Sequence, residues 1–347
     1  MTDCIIVGGG LIGMLSAREL KKKGLNVLIL EKGEMGKEAS WAGGGILSPL
    51  HPWQYPDEVN QLASIGHQQY ENVAETLYVE SGVDPEYVRS GMMVLGCEQR
   101  SQVIDWSKKW SMNLSIINDA TEMQAILPGL HEEFKQGYWM PDIAQMRNPK
   151  LVKAVKGSLN ALGVPYKENA EVRRLNVVNG RVSGVEVDGK TLHADKVLIA
   201  GGAWSGEILK EFEHAPEIKP VKGQMILFKG NPDLLKTIIL SENRYLIPRR
   251  DGRILCGSSI EHSGFSKATS QSMKEDLLES AISIFPALAD LQIEHHWAGL
   301  RPGSPQGVPY IGSHHEIEGL YINAGHYRNG VILGLGSAFR IADIMIA

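Results

Sequence analysis

The chain has 347 residues, of which 43% are hydrophobic and 22% charged, the balance of a folded globular protein with room for two packed regions and little disorder. Its formal net charge of -5 argues against a nucleic-acid partner, whose phosphates call for a basic excess. The three cysteines, Cys4, Cys97 and Cys256, form no CxxC pair, so neither a disulfide framework nor a metal site is expected, and a reducing, cytoplasmic setting is.

The opening MTDCIIVGGG enters a strand at once, with no basic segment ahead of a longer apolar core, so no signal peptide is expected. Cys4 to Gly8 is a short apolar run suited to a buried parallel strand. LIGMLSARELKKKG is amphipathic, with Leu11, Leu15 and Leu20 on its apolar side. Lys21 to Lys23 complement the dipole in its last turn, and Gly24 supplies the stop. That lysine run reads as a solvated helix end. NVLILEK is the second buried strand.

Farther on, Asp57 to Ser81 reads as a helix, MMVLG around Met92 as a strand, and Pro149 to Leu162 as a helix with proline near its start. Residues 170–202 read as several strands, with hairpin turns at Asn179–Gly180 and Asp188–Gly189. KGQMILFKG is a strand, and RYLIPRRDGRILCGSS is two, joined at Asp251–Gly252. A helix spans about Gln271 to Ile284, and the last 28 residues give a strand, a glycine-bearing turn and a helix. No run approaches the roughly 18 apolar residues of a membrane span. No long repeat or low-complexity linker interrupts the chain.

Gly8-x-Gly10-x-x-Gly13 lies between the first strand and the first helix, and Glu31 closes the next strand, 18 residues after Gly13. Gly8 permits the tight turn, Gly10 lets a pyrophosphate approach the backbone, and Gly13 permits close helix–strand packing. The helix start offers free N–H groups and positive potential to phosphates, and Glu31 is placed to accept from ribose hydroxyls. This predicts a dinucleotide site. Two later stretches favour FAD over NAD. Ala39 to Ile46 (ASWAGGGI) exposes backbone amides where a large planar cofactor can lie. Ala324 to Gly330 (AGHYRNG) starts the last helix, whose dipole would stabilise a reduced flavin.

These pieces resemble the D-amino-acid oxidase superfamily of flavoproteins, and within it the bacterial glycine-oxidising branch of the thiamine-biosynthesis type. The matching segments run from end to end: VGGGLIG, Glu31, SWAGGGIL, KENAEV, VLIAGGAWSGEIL, PVKGQM, YLIPRRDGRILCGSS, WAGLRPGSPQGVPYIG and AGHYRNGVILG. The resemblance implies an α/β fold, with a Rossmann-like FAD domain of the glutathione-reductase type and a smaller α+β substrate domain on an antiparallel sheet. The FAD domain would be discontinuous, comprising residues 1–80, 143–218 and 297–347; residues 81–142 and 219–296 would form the substrate domain. It implies that the Val172 backbone meets the adenine. Leu11, Ile12, Lys32, Ala39, Ser40, Gly44, Gly45 and Ile46 match other flavin-contacting positions, and His326, Tyr327, Asn329, Gly330, Val331 and Ile332 form the last cofactor turn.

An amino-acid substrate needs its carboxylate held, and a bidentate arginine is the best clamp. Arg301, in AGLRP, sits among apolar residues; by its setting alone it is as well read as half of a structural ion pair. The resemblance implies that Arg301 and Tyr245 bind the substrate carboxylate and that Arg328 lies near substrate and flavin. Ile260 stands where the family often has methionine lining the pocket, which implies a shifted side-chain preference. The expected reaction is hydride transfer from the alpha carbon to flavin N5, then hydrolysis of the imine to keto acid and ammonia, serving thiamine thiazole synthesis. No general base is obligatory if the amine enters neutral. His326 reads as structural despite its place in the flavin turn, and His262, His295 and His296 have no evident partners. GLRPGSPQGVPYIG lacks the cysteine that tethers flavin in sarcosine oxidases, so the FAD is expected to be noncovalent. The chain ends at Ala347, where related chains continue a little further. The electron acceptor is oxygen or a quinone, and the resemblance implies a homotetramer. A D-amino-acid or sarcosine oxidase or dehydrogenase, the oxidative domain of a tRNA-modifying enzyme, and a non-catalytic flavin subunit stay open as alternatives.

Overall fold

The computed structural model describes residues 2–96, 98–242 and 244–347, so the expectation for Cys97 lies outside the described residues. β1 (Cys4–Val7), α1 (Leu11–Lys22) and β2 (Val27–Leu30) form the first unit, followed by the single turn α2 (Ala39–Ala42) and the long α3 (Asp57–Ser81). Next come β3 (Val88–Arg89), β4 (Met92–Leu95), α4 (Arg100–Lys109), β5 (Ser115–Ile117), α5 (Ala120–Ile126), β6 (Gly137–Met140), β7 (Ala144–Gln145) and α6 (Asn148–Ala161). β8 (Tyr166–Lys167), β9 (Val172–Val178), β10 (Arg181–Val187), β11 (Lys190–His193), β12 (Lys196–Ile199) and α7 (Ser205–Leu209) follow. The last part holds β13 (Lys219–Lys229), β14 (Ile238–Ser241), β15 (Arg244–Pro248), β16 (Ile254–Gly257), α8 (Gln271–Ile284), β17 (Gln292–Gly303), β18 (Tyr310–Ser313), β19 (Leu320–Ala324) and α9 (Gly330–Ile346).

Six strands in the order β18-β19-β12-β1-β2-β8 form a sheet that is parallel except at β18. Alternation along β1 sorts its side chains onto two cores. Cys4 and Ile6 face the helical core with residues of α1, α3, α6 and α9, while Ile5 and Val7 face the small sheet β11-β10-β9. The parallel sheet is therefore covered on both faces, as its unbroken apolar strands require. The hairpin turns form as their sequences predict: Asn179–Gly180 and Asp188–Gly189 all have positive φ.

The second large sheet has the order β17-β13-β16-β15-β14-β4-β6-β5 and is antiparallel except where β14 runs parallel to β4. Its outer face, with Ile226, Leu246 and Cys256, packs under α8 and α5. Its inner face turns Met225, Tyr245, Ile247 and Leu255 toward Ile46 and Leu50 of the first region. Burying each such aliphatic side chain contributes roughly 1.5–3 kcal/mol. Sequence patterning missed α4, α5, β14 and β17. The domain boundary expected at residue 297 falls inside β17, whose ladder with β13 continues to Gly303.

Candidate active site

The turn from β1 to α1 is shaped by two glycines that no other residue replaces. Gly8 has a φ of +112°, and a Cβ there would lie 2.4 Å from the Ala200 carbonyl oxygen. A Cβ at Gly13 would lie 2.0 Å from the Gly8 carbonyl oxygen. Gly10 differs: its nearest neighbour is the Ser40 hydroxyl at 3.3 Å, so the protein leaves space there. The Glu31 carboxylate accepts from the Gly9 amide at 2.7 Å and the Gly33 amide at 2.9 Å, bracing the turn while still lining the cavity.

The cavity beside this turn has a volume of about 550 Å³. Its walls include Gly8, Gly10, Leu11, Ile12, Glu31 and Lys32 from the first unit and Ala39, Ser40, Gly44, Gly45 and Ile46 from the α2 segment. Val172 joins from β9, and His326, Tyr327, Gly330 and Val331 from the start of α9. Gly13 and Ile332 pack behind this wall, and Asn329 is the buried N-cap residue of α9. Lys32 extends its ammonium to 3.1 Å from the Trp204 ring centroid, and burial lowers its pKa. At the α2 turn, Asn148 donates to the Ser40 carbonyl at 2.9 Å, and the half-buried Arg249 donates to the Gly44 carbonyl at 2.7 Å. Burial, then the nearby Arg147, pulls the Arg249 pKa down to about 10.

Tyr245, Arg301 and Arg328 line the same cavity. Tyr245 comes from β15 on the inner sheet face, Arg301 from the end of β17, and Arg328 from the turn before α9. The Arg301 guanidinium donates to the Ser258 hydroxyl at 2.6 Å and to the Ser259 and Lys222 carbonyls at 3.2 Å each. Burial lowers its pKa, with the nearby Arg328 cation acting in the same direction. Among the described residues no carboxylate pairs with it, so the structural ion-pair reading finds no counter-ion. A more open cavity of about 560 Å³ adjoins this end, sharing Leu50 and Arg328 and adding His51, Gln54 and Gln306.

Ile260 is placed differently from the expectation. It is 42% exposed and does not line the cavity, because Ser258 and Ser259 are turned inward and the next residue turns out. Sequence reasoning also missed Gly223, Met225, Ser258 and Trp204 as lining residues. PVKGQM, CGSS and GGAW stood in the matched segments, but nothing in their spacing assigned a role. His295 and His296 lie on β17 and, like His262, outside the cavity wall. One exposed trio, Glu213, His214 and Glu316, brings ligand atoms within 4.8 Å of one another away from that wall; Glu316 is too far in sequence from the other two to be read with them.

His326 is the most telling residue at the last turn. It is fully buried, burial pulls its pKa down to about 3, and neither ring nitrogen has a partner among the described residues. Asn329 beside it also has both amide atoms unpartnered. Buried polar atoms of this kind are costly unless something bonds them. His326 lines the same cavity as the open Gly10 turn, the braced Glu31 and the Gly44–Gly45 cradle, so the residues present fit a dinucleotide with a large planar head.

Comparison with known proteins agrees. A family model described as FAD dependent oxidoreductase matches residues 3–344. A glycine oxidase of Pseudomonas aeruginosa is 44% identical over 98% of this chain and 94% of that protein. The bifunctional protein ThiO/ThiG of a Synechocystis species is 32% identical over 99% of this chain and 52% of that longer protein. A crystal structure of glycine oxidase from Bacillus cereus superposes with a TM-score of 0.92 at 32% identity, covering 100% of this chain and 95% of that one. No helix among the described residues is long and apolar enough to cross a membrane.

Proposed function

The chain belongs to the FAD-dependent oxidoreductase family, and from that premise we propose that it oxidises glycine, with Arg301 as the carboxylate clamp. It is an FAD-dependent amino-acid oxidase. The single observation that carries the choice of site is the half-buried Arg301 cation, held by three neutral oxygens and paired with no carboxylate among the described residues. Such a charge gains most from a planar anion brought by a ligand.

Arg301 and Tyr245 fix the carboxylate end, so the alpha carbon and amine are directed into the cavity wall formed by Met225, Gly44 and the α9 turn. The bound FAD supplies an acceptor for the hydride that leaves the alpha carbon. His326 stays neutral because it is buried, so it offers the cofactor a hydrogen bond without adding a charge. No histidine or carboxylate is needed as base when the amine enters neutral: loss of two electrons and two protons gives the imine, and water converts it to glyoxylate and ammonia. Oxygen or a quinone takes the electrons onward, the FAD is noncovalent, and the reaction supplies thiazole synthesis for thiamine in the cytoplasm. A homotetramer is the assembly that accompanies this reading.

The deciding measurement is anaerobic flavin reduction by glycine, sarcosine, D-alanine and D-proline. Glycine is expected to reduce the flavin with the highest specificity constant of the four. Faster reduction by D-proline or sarcosine would replace glycine with a D-amino-acid or N-methyl substrate. Reoxidation by oxygen against a quinone, and light scattering on the purified protein, read the acceptor and the assembly.

A further inference from the structure

The Arg301 guanidinium rests in a seat formed by β13 and the segment after β16, at the wall of the same cavity. Val221 of β13 pairs with Arg301 of β17, and Gly223 pairs with Gly299. A Cβ on Gly223 would lie 2.1 Å from Arg301 Nη2 and 2.4 Å from both Cζ and Nη1. All three of its nearest neighbours are thus guanidinium atoms. Gly223 is absent from the residues with positive φ, and it sits inside a regular ladder, so backbone conformation does not call for glycine here. Its missing side chain is the space that the guanidinium occupies.

The edge of that seat is pinned. Ser258 accepts from Nη2, and Ser259 and Lys222 accept from Nη1 through their carbonyls. Glu261 holds these acceptors in register. Its carboxylate pairs with the Lys222 ammonium at 2.7 Å and accepts from the Ser259 hydroxyl at 2.5 Å and the Gln224 amide at 3.0 Å. Its backbone exchanges both hydrogen bonds with Lys222, at 2.9 and 3.0 Å. Lys222 is 7% exposed, so the lysine end of the pair is shielded from bulk water while Glu261 is only half-buried.

We propose that Gly223, Ser258 and the Lys222–Glu261 pair are positioning residues that set the plane and direction of the Arg301 fork, and so determine how tightly the protein takes a carboxylate. This rests on Arg301 being the carboxylate clamp. A fork aimed by three fixed acceptors loses little freedom on binding, whereas a displaced one meets the anion with a single N–H. Gly223→Ala places its methyl closest to the guanidinium atoms, so it moves the fork.

The test uses the FAD-loaded protein and acetate, a carboxylate that cannot be oxidised, read by the change in flavin absorbance on titration, together with glycine kinetics. Gly223→Ala is expected to keep its flavin, to bind acetate at least tenfold more weakly, and to raise KM for glycine far more than it lowers kcat. In the background of Arg301→Ala the same substitution should cost nothing further, because the methyl then has room. Wild-type acetate affinity in Gly223→Ala, or a full additional loss in the double variant, overturns the proposal. Should Gly223→Ala not fold, Ser258→Ala and Glu261→Gln decide: each should weaken acetate binding several-fold with flavin retained, and unchanged affinity in both overturns the seat. If glycine fails to reduce the wild-type flavin, the substrate assignment falls, while the acetate titrations still read the seat.

Discussion

The amide of Leu11 donates to the Ser40 hydroxyl at 2.8 Å, across 29 residues of sequence. This bond ties the start of α1 to the α2 segment, so the pyrophosphate turn and the Gly44–Gly45 cradle form one wall. The N-cap of α1 is Gly10, which has no side chain to satisfy the first turn, and Ser40 takes part of that role.

Gly10→Val is expected to fold and to lose its flavin. The protein leaves space at Gly10, so a side chain there meets mainly what the turn should bind. Gly13→Val should instead fail to fold, because its Cβ would enter the Gly8 carbonyl. Flavin absorbance and melting temperature separate the two; a well-loaded Gly10→Val would show that the turn is structural only.

Trp204 lies between Lys32 and Phe265, whose ring stacks on it at 5.4 Å between centroids and 24° between planes. Phe265 belongs to an exposed segment whose Lys267 pairs with Glu38 at 2.9 Å. Trp204, Lys32 and Glu38 line the cavity, so the stack and the ion pair anchor the segment to the cavity wall. A cation–π contact and an aromatic pair are each worth roughly 0.5–1.5 kcal/mol. Trp204→Ala should therefore release FAD about tenfold more readily, read by the rise in free-flavin fluorescence on dilution. The released cofactor should be FAD rather than FMN, and none should stay with acid-denatured chain.

The cofactor wall was legible because its parts are contiguous: strand, Gly8-x-Gly10-x-x-Gly13, helix, strand and Glu31 all fall within the first unit. The carboxylate end was not. Arg301, Gly223, Ser258 and Tyr245 lie on or beside β17, β13, β16 and β15, and only sheet register brings them together. β17 went unassigned because Gly299, Pro302 and Gly303 interrupt any strand pattern; at the edge of the sheet a proline is tolerated in a strand. Ile260 was misplaced because local likeness does not show which residues of the short segment after β16 turn inward. His326 was read as structural because its unpartnered nitrogens appear only once the fold surrounds them.

The apoprotein should lose stability on mild acidification, in part through His326. Its folded pKa of about 3 lies below the ordinary value of 6.5. The unfolded chain therefore takes up a proton below about pH 6.5 that the folded chain refuses, and stability present above that pH is lost as pH falls toward 3. At pH 5 this amounts to about 2 kcal/mol, or roughly 3 °C for a chain of this size. His67, also lowered by burial, adds to the same slope. His326→Gln should reduce the fall in melting temperature between pH 7 and pH 5 by about that amount, and an unchanged slope would show that His326 titrates normally.

Arg301→Ala is expected to leave FAD bound and to weaken reduction by glycine sharply. Each charge-assisted hydrogen bond to the carboxylate contributes roughly 1.5–3 kcal/mol net, so losing two lowers the specificity constant by about two to four orders of magnitude. The structure adds a cost that the sequence did not show. Ser258, Ser259 and the Lys222 carbonyl lose their donor together, so melting temperature should also fall by a few degrees. Arg301→Lys keeps the charge but cannot reach all three acceptors and the carboxylate at once, so it should recover only part of the activity. Tyr245→Phe should cost less, because one neutral hydroxyl goes and the ring stays packed among Gly44, Gly257 and Met225. An amine without a carboxylate, poor for the native protein, should be oxidised almost equally well by Arg301→Ala. Stopped-flow flavin reduction with both substrate types checks this. Equal slowing of both would make Arg301 a residue that only braces the Ser258–Glu261 segment, and slowing of neither would move the substrate site elsewhere in the cavity.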